Sequence, residues 1–507
     1  MTATASRPEV RAAAGPLRGS REAGVAVFRG IPFAEPPVGA LRFAAPHPVR
    51  GWCEVREAVS FGPPPPQAGV FGMDALMRDA PSDDWLTINV FSPEPVPGAG
   101  LPVMVWIQGG AFAFGMSSLP EYDGGRLARD GGVVVVTFNY RVGVEGFAQL
   151  EGAPANRGLL DQVAALEWVR DNIRAFGGDP DRVTVFGESG GAGSVAALMV
   201  MPRAAGLFRR AVAQSVPGTV FSTELAADIA AAVAAELGLR PTVADLSAVE
   251  PAVLAAAGDD VTAKISQWAQ RWGQAGHRGI PFAPVVDGDV LPGTPWQALA
   301  DGAGRDVDLI VGHTRDEQRL FNLITGVLGE VTPEQAATAL DVLAPGPDGA
   351  RRYREAFPDA GPDELHELVN SDWLFRMPSL HLAEAQIAGG GRAHVYELTW
   401  PAPGTGAALG ACHGLDVPLV FGNLDRGRPA MLLGEGPSPE AAALSTFMRA
   451  AWTAFATHGD PGWPAYDHGQ RLTQLFDSPP AVTAYPEETS RLIWRNHTFS
   501  ALPLLGS

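Results

Sequence analysis

The 507-residue sequence predicts an α/β fold, with a large and mostly parallel central sheet flanked by helices. Three observations point there. Two nearly continuous apolar runs, Val103–Ile107 and Val133–Phe138, suit strands buried on both faces. Leu159, Val163, Leu166, Val169 and Ile173 recur at spacings of three and four, which marks a helix between Gly158 and Phe176. Val183–Phe186 then supplies another apolar strand, so the order is strand, helix, strand.

Taken in order, residues 1–60 read as short strands and turns, Val25–Ile31 among them, and predict a small N-terminal sheet. Gly62–Gln67 carries four consecutive prolines, which lack ladder donors, and reads as an extended loop. Leu86–Phe91 alternates as a strand does. Asp179-Pro180-Asp181-Arg182 reads as a turn ahead of Val183. Arg210–Ser215 is a further strand, and the Ala-rich stretch from about 222 to 280 is helical. Leu309–Gly312 is a buried strand, followed by helical sequence to about 388. His394–Leu398 is a late strand and Ala441–His458 a long final helix. With no repeat and no clean linker, residues 1–507 are expected to form a single domain. Helical insertions at about 217–300 and 318–390 are expected to cap the C-terminal edge of the sheet.

Composition narrows the function. A net charge of −19 repels phosphates and argues against nucleic-acid binding. No run approaches the roughly 18 apolar residues of a membrane span. The first residues lack the basic start and apolar stretch of a secretory signal, and only Cys53 and Cys412 are cysteines. A disulfide scaffold is thereby excluded and a cytoplasmic location expected. No His or Cys cluster has metal-ligand spacing, so neither metal nor cofactor is expected. Nothing in the sequence marks a subunit interface.

The chemistry-bearing motif is Gly187-Glu188-Ser189-Gly190-Gly191, set between the strand Val183–Phe186 and an Ala-rich helical segment. A strand-to-helix turn can project a serine hydroxyl above a sheet, and the flanking glycines let strand and helix approach closely. A competing reading is Gly191-Ala-Gly193-Ser-Val-Ala196, a dinucleotide fingerprint. That motif needs an acidic residue at the end of the next strand to hold a ribose, and the next strand ends in Gln214-Ser215. A nucleophilic Ser189 fits better. Gln108-Gly109-Gly110-Ala111-Phe112 follows the first buried strand. Such a turn presents backbone amides without side chains in the way, so the amides of Gly110, Ala111 and Gly190 are candidate oxyanion donors. A tight turn with no catalytic role is the alternative.

With these motifs placed, the chain resembles the type-B carboxylesterases, the α/β-hydrolase family of para-nitrobenzyl esterases, animal carboxylesterases and cholinesterases. The resemblance runs nearly the whole length. It is carried by Phe28–Gly39, Asn139–Gly143, Gly158–Trp168, Ala175–Arg182, Asp316-Glu317 and His413–Phe421. It implies a small-molecule ester substrate and an acyl-enzyme on Ser189, with His413 as base and Glu317 as the acid orienting it. The residues alone leave Asp316 an equal rival of Glu317, and do not choose among the ten histidines. By the same resemblance, Ser215 and Asp416 buttress His413. Glu188 is another acidic neighbour of the site, and a strand-end cap is an almost equal reading of Ser215. Phe112, Phe114, Trp373 and Phe375 are candidates for an apolar substrate pocket, with core packing an equally good reading. Arg42 is expected to pair with Asp83, and Arg141 with Asp161.

The chain also departs from the family. Trp85 stands where relatives carry a cysteine, and the loop ending at Gln67 lacks its partner, so the disulfide of secreted relatives is absent. Gln108 stands for a His or Tyr, and Ala111, Val216 and Gln318 stand for glycines. Cys412, beside His413, reads as a buried small residue. Amide, carbamate or other acyl transfer remains open with the same triad, and a non-catalytic binding protein is the more distant alternative.

Overall fold

A computed structural model describes residues 7–67, 83–403, 408–427, 429–434 and 436–506. Among them, eleven strands make one sheet. In chain order they are β1 (Ser20–Glu22), β2 (Val25–Pro32), β3 (Thr87–Ser92), β4 (Leu101–Ile107), β5 (Val134–Phe138) and β6 (Gly178–Glu188). There follow β7 (Arg210–Gln214), β8 (Asp308–Thr314), β9 (Ala393–Leu398), β10 (Leu472–Phe476) and β11 (Ala481–Ala484). Their spatial order is β11-β10-β9-β8-β7-β6-β4-β5-β3-β2-β1. Every pairing from β5 across to β10 is parallel, and the two edges are antiparallel. The continuous apolar runs account for this core: Val103–Ile107 and Val134–Phe138 are buried throughout, as strands covered on both faces must be. A three-stranded sheet of Glu9–Arg11, Pro16–Arg18 and Arg56–Glu57 matches the expected N-terminal one.

The helix read from the apolar spacing is α1 (Arg157–Asn172), which tightens into a 3₁₀ turn through Phe176. Two further helices carry site residues at their starts, α2 (Gly190–Val200) and α3 (Glu317–Ile324). Residues 222–280 hold the helices Thr223–Glu236, Val243–Leu246, Pro251–Ala263 and Ala269–Arg278. Residues 333–388 are helical as well, with a π turn at Asp372–Arg376 between the helices Pro362–Ser371 and Met377–Ala388. No described helix is long and apolar enough to cross a membrane. Cys53 is exposed, Cys412 is buried, and both are free; burial pushes the Cys412 thiol up to about 12.

Two expectations are corrected. Asp179–Arg182 is not a separate turn. The Asp181 amide does donate to Asp179 Oδ1 at 3.0 Å, as in an Asx turn. The segment nevertheless pairs within β6, with a register shift opposite Leu101–Val103 absorbing the irregularity. Nor does Arg42 meet Asp83, which is exposed, while Ser82 lies outside the described residues. The Arg42 guanidinium is buried and needs a buried partner, which it finds in Glu145 at 2.6 Å. The second pair is as expected: Arg141 binds Asp161 through two parallel bonds of 2.7 and 2.8 Å, both residues fully buried.

Candidate active site

The sheet delivers the site at the C-terminal ends of its central strands, where open α/β sheets place their ligands. β6 ends at Glu188, Ser189 turns the chain, and α2 begins at Gly190. Ser189 has φ 57° and ψ −125°, a conformation L-residues rarely adopt. Its amide donates to the Gln214 carbonyl at 2.9 Å, and its carbonyl accepts from the Gly193 amide at 2.9 Å. The flanking glycines are sterically required. A Cβ on Gly191 would sit 2.0 Å from the Ile107 carbonyl oxygen, and one on Gly187 would sit 2.7 Å from Gly191.

His413 comes from the turn that opens the helix Asp416–Phe421, and Glu317 starts α3 just beyond β8. They meet through His413 Nδ1 and Glu317 Oε2 at 2.5 Å, and both residues are buried. Ser215 Oγ and the Thr314 amide donate to the other Glu317 oxygen at 2.6 and 3.0 Å. Asp316, the rival acid, points elsewhere. It accepts from the Ala411 amide at 2.8 Å and pairs with Arg319 at 3.2 Å, while its own amide donates to the Ala411 carbonyl. It thereby stitches the acid-bearing loop to the histidine-bearing loop. Asp416 makes no hydrogen bond to the ring; it accepts from Gln214 Nε2 and the Tyr396 hydroxyl, each at 2.9 Å, and its charge adds to the raised His413 pKa.

The opposite ring nitrogen, His413 Nε2, lies 3.1 Å from Glu188 Oε1. Burial pulls the imidazolium pKa down, but the carboxylates of Glu188 and Glu317 outweigh burial and raise it to about 9. Burial likewise raises the Glu188 carboxyl above the usual carboxylate range. Burial also pushes Glu317 upward, yet charge and hydrogen bonding from His413 hold it below its ordinary value.

The turn after β4 faces this elbow. Gly110, Ala111 and Phe112 all have positive φ, at 117°, 51° and 58°. The Ala113 and Phe114 amides close the turn onto the Gly110 carbonyl at 2.9 and 3.0 Å. A Cβ on Gly190 would lie 3.2 Å from the amide nitrogens of both Ala111 and Phe112, so the two turns abut. Among the described residues, the Gly110, Ala111 and Gly190 amides have no protein acceptor. Beside Ala111 opens a cavity of about 200 Å³, lined by Phe114, Val144, Ala255, Pro281 and Phe282 among others.

The four candidate pocket aromatics separate. Phe114 lines this cavity. Phe112 is buried against Phe147, ring centres 5.0 Å apart. Trp373 is buried in the core. Phe375, in the π turn, stacks on the His413 ring at 4.3 Å with an interplanar angle of 26°. Phe321 of α3 approaches the same ring at 5.1 Å. Sequence reasoning did not single out Phe321; its place one helical turn after Glu317 was the available signal.

A strained serine between a central strand and a helix, at the C-terminal edge of a parallel sheet, is the elbow of the α/β-hydrolase fold, and the family match makes the protein a carboxylic-ester hydrolase. The chain belongs to the carboxylesterase family, whose model matches residues 6–343. It is 39% identical over 488 residues to the para-nitrobenzyl esterase of Bacillus subtilis (strain 168), covering 94% of this chain and 96% of that one. It is 34% identical over 489 residues to a phenmedipham hydrolase of Pseudarthrobacter oxydans, covering 91% and 93%. The crystal structure of a Geobacillus stearothermophilus carboxylesterase superposes with a TM-score of 0.84 at 37% identity, covering 96% of this chain and all of that one.

Proposed function

We propose that the enzyme hydrolyses small-molecule carboxylic esters through an acyl-enzyme on Ser189, with His413 as base and Glu317 as the orienting acid. The observation that carries this reading is the buried 2.5 Å contact between His413 Nδ1 and Glu317, adjoining the elbow that bears the serine. His413 Nε2 removes the hydroxyl proton as Ser189 attacks the carbonyl carbon. Negative charge gathers on the carbonyl oxygen and is met by the amides of Gly110, Ala111 and Gly190. As the tetrahedral intermediate collapses, His413 returns the proton to the departing alkoxide. Water, deprotonated by the same imidazole, then releases the acid. Ser215 holds Glu317, and Asp416 anchors the histidine loop, so both act by positioning. Glu188 contributes by raising the basicity of His413. The cavity beside Ala111 and Phe114 is the apolar pocket for one arm of the ester.

The whole chain acts as one catalytic domain, its helical insertions near 217–300 and 318–390 walling the site. Two free cysteines and no disulfide partner suit a cytoplasmic enzyme. A series of p-nitrophenyl esters assayed with the wild type and Ser189→Ala tests the reading. Rapid hydrolysis and near-complete loss in the variant are expected. An inactive wild type, or an active variant, overturns it.

A further inference from the structure

Arg278, the last residue of the helix Ala269–Arg278, is a cation without a counter-charge. Its Nε is buried with no partner. Among the described residues its one hydrogen bond is donated to Gln318 Oε1 at 2.9 Å, and no carboxylate lies within ion-pair distance. Burial lowers its pKa to about 10, still charged at neutral pH. Arg278 is half-buried at the wall of the cleft, so its buried Nε is held from water with no partner while the rest of the guanidinium faces the opening, an arrangement that a carboxylate or a phosphate would complete.

The surroundings suit an oxyanion. Arg278 lines a cleft of about 300 Å³ together with Gln335, Thr338, His366 and Asn370. Nδ1 of His366 is also buried without a partner. Burial and the charge on Arg278 pull His366 down to about 4, which leaves the imidazole neutral and free to donate. Glu334 lines the rim as well, but it is exposed and makes no ion pair with Arg278. The cleft shares no lining residue with the cavity beside Ala111, but Arg278 connects it to the neighbourhood of Glu317. Gln318, which accepts from Arg278, follows Glu317 directly, and Gly279, next to Arg278, lines the cavity beside Ala111.

We propose that Arg278 and its cleft bind a small oxyanion, a carboxylate or a phosphate, one hydrogen bond away from the residue that follows Glu317. The oxyanion is either a carboxylate arm of the ester itself, which rests on the esterase reading, or a free anion, which does not. A planar guanidinium with free donors recognises both in the same way.

Two arms separate the sources. In the first, kcat/KM is measured for p-nitrophenyl hexanoate and for mono-p-nitrophenyl adipate, which differ only in the terminal carboxylate. If the substrate supplies the anion, Arg278→Gln lowers the adipate-to-hexanoate ratio about fivefold or more. In the second, inorganic phosphate is titrated at constant ionic strength while Tm is followed. If a free anion binds, wild-type Tm rises saturably and that of Arg278→Gln does not. Should Arg278→Gln fail to fold, Thr338→Asp places a carboxylate in the same cleft and must abolish whichever response the wild type shows. An unchanged ratio together with an absent or variant-insensitive phosphate response overturns the proposal. Hexanoate turnover by the wild type reports separately on the esterase reading.

Discussion

Around Glu317 the protein supplies a partner for both carboxylate oxygens, whereas the amides of Gly110, Ala111 and Gly190 have no protein acceptor among the described residues. The acid–base side is held by hydrogen bonds and ring stacking: Asp316 ties the two loops, and Phe375 and Phe321 flank the imidazole. The turn that faces the elbow has three consecutive residues at positive φ and is closed by backbone hydrogen bonds to the Gly110 and Phe112 carbonyls, which leave the Gly110 and Ala111 amides open. The difference follows from when each side works. The imidazole must be oriented before substrate arrives, whereas the amides are useful only if nothing in the protein already occupies them. One side is therefore saturated and the other is kept open.

The comparison can be broken from either side, and the largest effect is expected on the saturated one. His413→Ala removes the base and should lower kcat by roughly 10³-fold or more in steady-state ester hydrolysis. A variant within tenfold of wild type would remove His413 from the mechanism. Next in size is the frame beneath both sides. Arg141→Met leaves Asp161 charged and buried with no cation and only the backbone amide of residue 141 as a donor, which should cost about 3–5 kcal/mol in denaturant unfolding. A loss under 1 kcal/mol would mean that Asp161 finds other support.

On the open side, Gly110→Ala places a Cβ 2.1 Å from the Phe114 carbonyl oxygen at a residue whose φ is 117°. The clash and the positive φ should lower the unfolding free energy, and displacing the amide should in addition lower kcat of the folded enzyme by about 10²-fold. An unchanged kcat in the folded variant would mark the turn as merely structural. The smallest effect concerns pH. His413 serves as base only when neutral, and Glu188 contributes to raising its pKa. Activity should therefore fall as pH drops through a point above the ordinary histidine value. Glu188→Gln should move that acid limb to lower pH, and an unmoved limb would remove Glu188 from the account.

Much of the frame was legible because the central strands are buried on both faces and show as unbroken apolar runs, and because Gly187 and Gly191 bracket Ser189. The turn after β4 was legible only in part: Gly110 marks one positive φ, whereas Ala111 and Phe112 adopt it with no glycine to signal it. What could not be read depends on neighbours distant in the chain. Glu317 and Asp316 are adjacent and chemically alike; the resemblance to relatives preferred Glu317, and only the fold shows one reaching His413 and the other Ala411. Arg42 was assigned to Asp83, and burial gave it Glu145. β10 and β11 went unread because Leu472–Phe476 is short and interrupted by Thr473 and Gln474, and Ala481–Ala484 is a short exposed edge strand. Phe375 reached the imidazole through a π turn, which shifts the side-chain register of an otherwise helical stretch.

The most direct test of the central claim is covalent. The protein would be treated with a fluorophosphonate that phosphonylates activated serines, digested, and mapped by mass spectrometry. The account predicts one adduct, on the peptide carrying Ser189, and none in His413→Ala over the same time. An adduct on a different serine, or equal labelling of the wild type and His413→Ala, would contradict it.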